Sequence, residues 1–375
     1  MRTYWEREIE EGYDFGIIGG GIVGLSVAAE LAEAGRTTLV MERGVLATGA
    51  TLRNAGFACI GSPTEILSDR RTMGDAATLA LVERRYRGLN ALRRRLPDAA
   101  TGYVPSGGYE LLDDAAVLDR LDELNDFLRP AVGADVFFAA NEKIPETGMA
   151  GVRAMAKNAH EGTLHSGKTC RALMRYVAEK GGTVLTGCAV RAVEPDGGGV
   201  TARVAGPGNG REHDFRFRAA CVCTNAYAHE LLPELEVVPA RGLVLVTAPV
   251  PGLRLHGSFH WDEGFYYFRD LDGRVLLGGG RNLDFEAERT LSLEGNPRIF
   301  AELERRLRET ILPYAPGIEI EHRWAGTMAF GPSDKRPVVG EIRPGVFCAV
   351  RMGGMGVALA GSVAQEIAPM LLSRA

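Results

Sequence analysis

Three glycines and one acid carry the most specific chemical signal in the chain. Gly19, Gly21 and Gly24 follow the short apolar run Asp14–Ile18, and Leu25 to Ala34 reads as a helix stopped by Gly35. The next β-prone run, Thr37–Met41, ends in Glu42 and Arg43. Strand, glycine turn, helix, strand and acid are the parts of a βαβ unit that binds a dinucleotide. Gly19 lets the chain turn tightly off the strand, Gly21 lets the backbone approach a pyrophosphate, and Gly24 lets the helix pack on the sheet. Phosphate oxygens then meet free N–H groups and the positive end of the helix dipole. Glu42, eighteen residues past Gly24, stands where a carboxylate accepts hydrogen bonds from ribose hydroxyls.

A second glycine turn lies near the C-terminus. Val346–Val350 reads as a strand, Arg351-Met352-Gly353-Gly354-Met355-Gly356 as a turn, and Val357 to Leu372 as a helix. Metal chemistry has no comparable signature. The cysteines at 59, 170, 188, 221, 223 and 348 form no CxxC pair, and no histidine cluster has ligand spacing, so no metal site is expected. Cys221 and Cys223 alternate in an apolar run and read as a same-face pair on a strand.

The elements between the two turns must position this chemistry. Thr72–Leu96 has a helical stripe of Val82, Tyr86, Leu89, Leu92 and Leu96, while Arg84, Arg85, Arg87, Arg93, Arg94 and Arg95 read as its solvated face. Ala115–Leu128 and Lys168–Glu179 are helical. Tyr109–Leu112, Val136–Ala140, Thr183–Leu185, Ala189–Val193, Val200–Val204 and Ala219–Cys223 are strand-like. From Arg241 to Trp324 the chain is mostly β (Leu243–Thr247, Phe265–Arg269, Val275–Leu277, Ile318–Glu321), interrupted by the helix Pro297–Ile311, which predicts an antiparallel sheet. The fold class is therefore α/β: a doubly wound, Rossmann-like nucleotide domain from the discontinuous segments 1–80, 150–240 and 322–375. An antiparallel-sheet substrate domain is expected from 81–149 and 241–321.

Composition narrows the function. The 375 residues are 46% hydrophobic and 24% charged, which excludes general disorder, and a net charge of −5 argues against nucleic-acid binding by bulk charge. No apolar stretch is long enough for a membrane span, and the acidic N-terminus has no secretory h-region. A cytoplasmic location is expected.

Nearly end to end, the chain resembles the flavoprotein family of D-amino-acid oxidase, glycine oxidase and monomeric sarcosine oxidase. The resemblance rests on the Gly19–Glu42 unit and on Gly49-Ala50-Thr51-Leu52-Arg53-Asn54-Ala55-Gly56. It continues in Thr224-Asn225-Ala226, Trp324-Ala325-Gly326, Asp334-Lys335-Arg336-Pro337-Val338-Val339-Gly340 and Gly353-Gly354-Met355-Gly356. It implies an FAD-binding domain in which Ile22, Val23, Arg43, Val190 and Val357 also contact the cofactor. It further implies removal of a hydride from an amine-bearing carbon to flavin N5, followed by hydrolysis of the imine. The partners it implies are a small amine or amino acid and oxygen or another electron acceptor. Chemically, the helix start at Gly356-Val357 can offer N–H groups to negative charge on a flavin's N1–C2=O edge.

The departures from the family bear on substrate and attachment. Met328 stands where D-amino-acid and glycine oxidases place the arginine that grips the substrate carboxylate. Small α-amino acids should then bind poorly unless Arg53, Arg281 or Arg351 substitutes; Arg53, Arg351 and Tyr267 are taken as the substrate-facing set. Tyr266 and Tyr267 lie on opposite faces of their strand, and the sequence does not choose between them. No lysine occurs between Gly181 and Asp334, which weakens a sarcosine-oxidase reading. Covalent relatives attach FAD through a histidine where this chain has Arg53, or through a cysteine near the Asp-x-x-Pro segment, where none occurs, so non-covalent FAD is expected. Two other functions are compatible with the motifs: a 2-hydroxy acid or polyol dehydrogenase, and a partner protein whose flavin is structural.

Overall fold

The computed structural model of the chain describes residues 3–205, 212–332 and 334–374. The strands Phe15–Ile18, Thr38–Met41, Ala219–Val222 and Val346–Val350 are buried along their whole lengths. Continuous apolar runs of this kind belong to a parallel sheet covered on both faces. They form the centre of a six-stranded sheet ordered Val338–Arg343, Val346–Val350, Ala219–Val222, Phe15–Ile18, Thr38–Met41, Thr183–Leu185, in which only Val338–Arg343 runs antiparallel. Cys221 and Cys223 do share a face, with their sulfurs 3.6 Å apart.

The helix Ile22–Glu33 crosses this sheet and packs against the C-terminal helix Gly356–Leu372. The helix Asp75–Arg95 packs on that C-terminal helix through a glycine contact: a Cβ on Gly88 would lie 2.1 Å from the Ala358 carbonyl oxygen, and one on Gly361 would lie 2.4 Å from the Gly88 carbonyl oxygen. Helicity begins earlier than the apolar stripe alone predicts. Pro63–Met73, started by Pro63 after Ser62, is a separate helix that ends at Gly74.

The solvated-face reading of the arginine-rich helix needs correction at two positions. Arg85 is 1% exposed and donates to the Ile60 carbonyl (3.1 Å) and to Glu65 Oε1 (3.1 Å). The Arg95 side chain is 7% exposed and pairs with Glu30 (2.5 Å) and Glu33 (2.8 Å). Acids on other elements neutralise both guanidinium groups, which is the condition under which arginine can be buried.

The second large sheet has eight strands, ordered Ile320–Phe330, Val238–Thr247, Arg274–Gly279, Tyr266–Leu271, Ser258–Trp261, Gly108–Leu112, Ala154–Asn158, Phe137–Ala139. It is antiparallel except where Ser258–Trp261 runs parallel to Gly108–Leu112. The strand Ala154–Asn158 and most of Ile320–Phe330 hydrogen-bond into this sheet from beyond the boundaries at 150 and 322 read from the sequence. Its own core gathers Phe259, Tyr266, Phe268, Leu277 and the helix residues Ile299 and Leu303. The other face of the sheet is turned toward the glycine turns of the six-stranded sheet, and a cavity of about 580 Å³ lies between them.

Candidate active site

One end of the cavity is built by the first glycine turn. Gly19 has φ +109°, and a Cβ there would lie 2.9 Å from the Cys223 carbonyl oxygen. Gly24 lies behind the lining: a Cβ there would lie 2.0 Å from the Gly19 carbonyl oxygen, so any side chain would push the helix off the turn. Gly21, Ile22 and Val23 line the cavity, and the helix starts at Gly21 with no side-chain cap. Its first N–H groups are therefore left for a ligand, apart from Ile22, which donates to Thr51 Oγ1 at 2.9 Å. Glu42 stands at the end of its strand, where its two oxygens accept the Gly20 and Gly44 N–H groups, each at 2.8 Å. Beside it, the Arg43 guanidinium lies 3.9 Å from the Tyr227 ring centroid, and Val190 closes the same side.

The middle of the cavity is framed by two loops. Gly49, Ala50, Thr51, Asn54 and Ala55 line it, around the short helix Ala50–Arg53. Asn54 holds this loop by donating to the Thr51 carbonyl (2.7 Å) and accepting from Gly56 N–H (2.7 Å) and Ser166 Oγ (2.7 Å). Gly56 lies outside the lining at φ +73°, where its carbonyl accepts from Arg269 at 2.9 Å. Opposite, Thr224, Asn225 and Ala226 line the wall, and Asn225 Oδ1 accepts the backbone N–H groups of Arg351 (3.1 Å) and Met352 (3.2 Å). The second glycine turn then runs along the cavity: Gly353 and Gly354 have φ +56° and +80°, followed by Met355, Gly356 and Val357.

The two arginines assigned to substrate have other partners. Arg53 touches the cavity, but it donates to the carbonyls of Thr48 (2.8 Å) and Ala325 (2.8 Å), and its own carbonyl accepts from Trp324 Nε1 (2.9 Å). It clasps the loop to the strand Ile320–Phe330, where a Cβ on Gly326 would lie 2.9 Å from its own Cβ. Arg351 is outside the lining, with φ +67° and its guanidinium 2.5 Å from Asp334 Oδ1.

The eight-stranded sheet supplies the far end. Strand pairing places Tyr267 opposite His260, and both face the cavity; Tyr266 points into the core beneath the Arg306 guanidinium, 3.8 Å from its ring centroid. Gly278 leaves room for the Tyr267 ring, since a Cβ there would lie 2.4 Å from it. Burial pushes the Tyr267 phenol up to about 12 against a small opposing pull from Arg281. Met328 does face this compartment, and Gly242 lies between it and the Tyr267 hydroxyl. Arg281 also lines it, among the rings of Phe330 (4.7 Å), Phe285 (4.9 Å) and Phe265 (5.9 Å). Burial pulls its guanidinium below the ordinary value. Among the described residues, no carboxylate, hydroxyl or carbonyl hydrogen-bonds to it.

Sequence reading missed the charged wall next to the second glycine turn. Lys335 Nζ lies 2.8 Å from Asp69 and 3.1 Å from Glu65, and all three line the cavity. Burial raises the Glu65 carboxyl, but Arg85 and Lys335 outweigh it and hold the group at about 2. The signal was the Asp-x-x-Pro segment itself, in which Lys335 precedes Arg336-Pro337; its acid partners come from a helix that the apolar stripe did not show.

A profile of the family described as "FAD dependent oxidoreductase" matches residues 14–370. The chain belongs to this family. It is 24% identical to the probable oxidoreductase OrdL of Rhizobium meliloti (strain 1021), over 96% of this chain and 83% of that one. Its fold is similar to L-proline dehydrogenase from P. horikoshii (TM-score 0.79, 19% identity, 97% of this chain and 94% of that one). It is also similar to glycine oxidase from Geobacillus kaustophilus (TM-score 0.72, 22% identity, 96% and 95%). The α/β fold with its nucleotide-binding turn is that of the family.

The residues of this FAD-dependent oxidoreductase fit the cofactor. Thr224 Oγ1 and Thr327 Oγ1 are buried without a partner on residues that line the cavity, as polar atoms waiting for a ligand are. The helix start behind Gly21, whose N-cap residue offers no side chain, suits a pyrophosphate, and the bare backbone at Gly353 and Gly354 admits a flat ring. Among the described residues, no helix is long and apolar enough to cross a membrane.

Proposed function

We propose that the protein oxidises the C–N bond of an amine or amino acid that carries a carboxylate, the imine product then hydrolysing in water. The observation that carries this reading is Arg281: a partially buried cation with no hydrogen-bonding partner among the described residues, in the same compartment as Tyr267 and adjoining the cofactor cradle. A guanidinium partly withdrawn from water and lacking a hydrogen-bond acceptor is costly, and a bound carboxylate would satisfy it through two parallel hydrogen bonds. Bound FAD supplies the hydride acceptor. Tyr267 donates a hydrogen bond to the substrate, the rings of Phe265 and Phe330 exclude water from its body, and Arg281 sets its orientation.

On this reading Gly19, Gly21, Ile22, Val23 and the 49–55 loop hold the adenine-nucleotide part of FAD, with Glu42 on the ribose. Thr224–Ala226, Gly326 and the turn Gly353–Val357 hold the flavin. Arg53 and Arg351 brace the cradle, and substrate anchoring falls to Arg281. The cofactor is held without a covalent bond, so acid precipitation leaves a colourless pellet and a yellow supernatant. Electrons pass to oxygen or another acceptor, and the protein works in the cytoplasm. The deciding experiment is anaerobic bleaching of the yellow protein with a panel of amines, amino acids and 2-hydroxy acids. Bleaching by carboxylate-bearing amines supports the reading; bleaching by 2-hydroxy acids alone overturns it.

A further inference from the structure

We propose that Cys59, Glu161 and His260 form a binding site for a divalent cation of the zinc class at the wall of the cavity. The three residues come from separate parts of the chain. Cys59 follows the strand Phe57–Ala58, Glu161 precedes Gly162–Thr163, which pairs with that strand, and His260 lies on Ser258–Trp261. One sulfur, one carboxylate oxygen and one imidazole nitrogen lie within 4.8 Å of one another, and all three residues are buried. This is how the site escaped the reading of ligand spacing: no two of its members are neighbours in sequence.

The internal geometry favours a shared cation over a hydrogen bond. His260 Nε2 is 3.7 Å from Glu161 Oε2. That exceeds the roughly 2.7–3.2 Å of an N–H···O bond. It is near the edge, about 3.3 Å, of a tetrahedron with metal–ligand bonds of about 2.0–2.1 Å. Among the described residues, His260 Nε2 is buried and makes no hydrogen bond of ordinary length, which is costly for a polar atom unless something else satisfies it.

Glu161 is already oriented for this task. Its Oε1 accepts from Ile60 N–H (2.8 Å), Gly61 N–H (3.0 Å) and the Asn158 side-chain amide (3.0 Å), leaving Oε2 for the site. Ligating carboxylates are held by such outer hydrogen bonds. Cys59 Sγ lies beside the His260 ring and 3.6 Å from Met355 Sδ. A ligand set of sulfur, nitrogen and oxygen selects a borderline cation such as Zn²⁺ over Mg²⁺ or Ca²⁺, which take oxygens. On binding, the Cys59 thiol proton and any proton on the ligating His260 nitrogen leave to solvent, and the thiolate and carboxylate together balance the two positive charges. Cys59 and His260 line the cavity, so an ion can reach the site from it.

The test uses the FAD-loaded full chain, purified without chelator, equilibrated with zinc sulfate and dialysed into metal-free buffer. Elemental analysis should find about one zinc per chain, and less than about a tenth of that in Cys59→Ser and Glu161→Gln, as loss of a ligand from a three-ligand site requires. FAD content and thermal melting show whether each variant is folded. Cobalt(II) loaded into the unmodified protein provides a readout that no variant is needed for: tetrahedral d–d bands to the red of the flavin absorption. Negligible zinc in the unmodified protein overturns the proposal, as does full zinc in a folded Cys59→Ser or the absence of tetrahedral cobalt bands.

Discussion

Tyr267 and His260 stand opposite each other on neighbouring antiparallel strands, and both rings reach Phe57, with centroids 5.8 and 5.2 Å away. This pairing places Tyr267 on the cavity side of the sheet and buries Tyr266 in the core. With the phenol pushed up to about 12 by burial, Tyr267 remains a neutral hydrogen-bond donor across the whole working range. Tyr267→Phe should raise KM about three- to tenfold, the worth of one neutral hydrogen bond. Because the phenol does not ionise below about pH 11, steady-state profiles should show the same alkaline limb in the variant and the unmodified protein. A limb that disappears in Tyr267→Phe would assign an ionisation to this residue.

Arg281 gives the sharpest separation of substrates. Replacing it with Met removes a charge-assisted contact worth about 1.5–3 kcal/mol, so KM for a carboxylate-bearing amine should rise about tenfold to a hundredfold. The change should fall on KM more than on kcat, because the carboxylate keeps its charge as the hydride leaves and its contact is held nearly equally in ground and transition states. Arg281→Lys should recover only part of the loss, since an ammonium lacks the planar fork of a guanidinium. Steady-state kinetics with an amino acid and with its decarboxylated amine check this. Equal losses for the two substrates would remove the carboxylate from Arg281.

Glu42 tests the nucleotide end. Its carboxylate already spans the Gly20 and Gly44 N–H groups, so it shapes the first glycine turn besides its proposed contact with the ribose. Glu42→Ala should weaken FAD binding about tenfold to a hundredfold. Titration of the apoprotein, followed by quenching of flavin fluorescence, measures this directly. Unchanged affinity would place the ribose contact on another group.

What could be read from sequence was local, and what could not was long-range. The unit from Gly19 to Glu42 is legible because its turn, helix and acid lie within one βαβ segment and each glycine has a steric reason. The Tyr266/Tyr267 choice was left open because alternation names two faces, and only pairing with Ser258–Trp261 decides which one meets the cavity. Arg85 was read as solvated because an amphipathic stripe ranks residues by apolarity and cannot anticipate Glu65 arriving from another helix. Arg351 precedes the glycine turn, but its left-handed backbone and the proximity of Asp334 direct its guanidinium elsewhere. The Cys59, Glu161 and His260 grouping depends on three strands meeting, which no spacing rule encodes.

Glu65 links stability to pH in a direction that can be worked out. Burial raises its carboxyl, but Arg85 and Lys335 overcome that and bring it down from 4.5 to about 2. A depressed carboxyl contributes stability that is complete above the unfolded value and is lost as pH falls through the folded one. The window therefore runs from about pH 4.5 down to about pH 2, and the full contribution is of order 3 kcal/mol. Asp69, raised by burial and by Glu65 itself, acts in the opposite sense, so the acid limb of the unmodified protein reflects both groups. Glu65→Gln removes the first and also relieves Asp69 of its like-charged neighbour. At pH 7 the variant should be less stable by about 3 kcal/mol in urea unfolding, because Arg85 is left buried without its carboxylate. The gap between the two proteins should then narrow as the pH is lowered from 4.5 toward 2. A gap that stays constant over that range would show that Glu65 contributes through packing and not through charge.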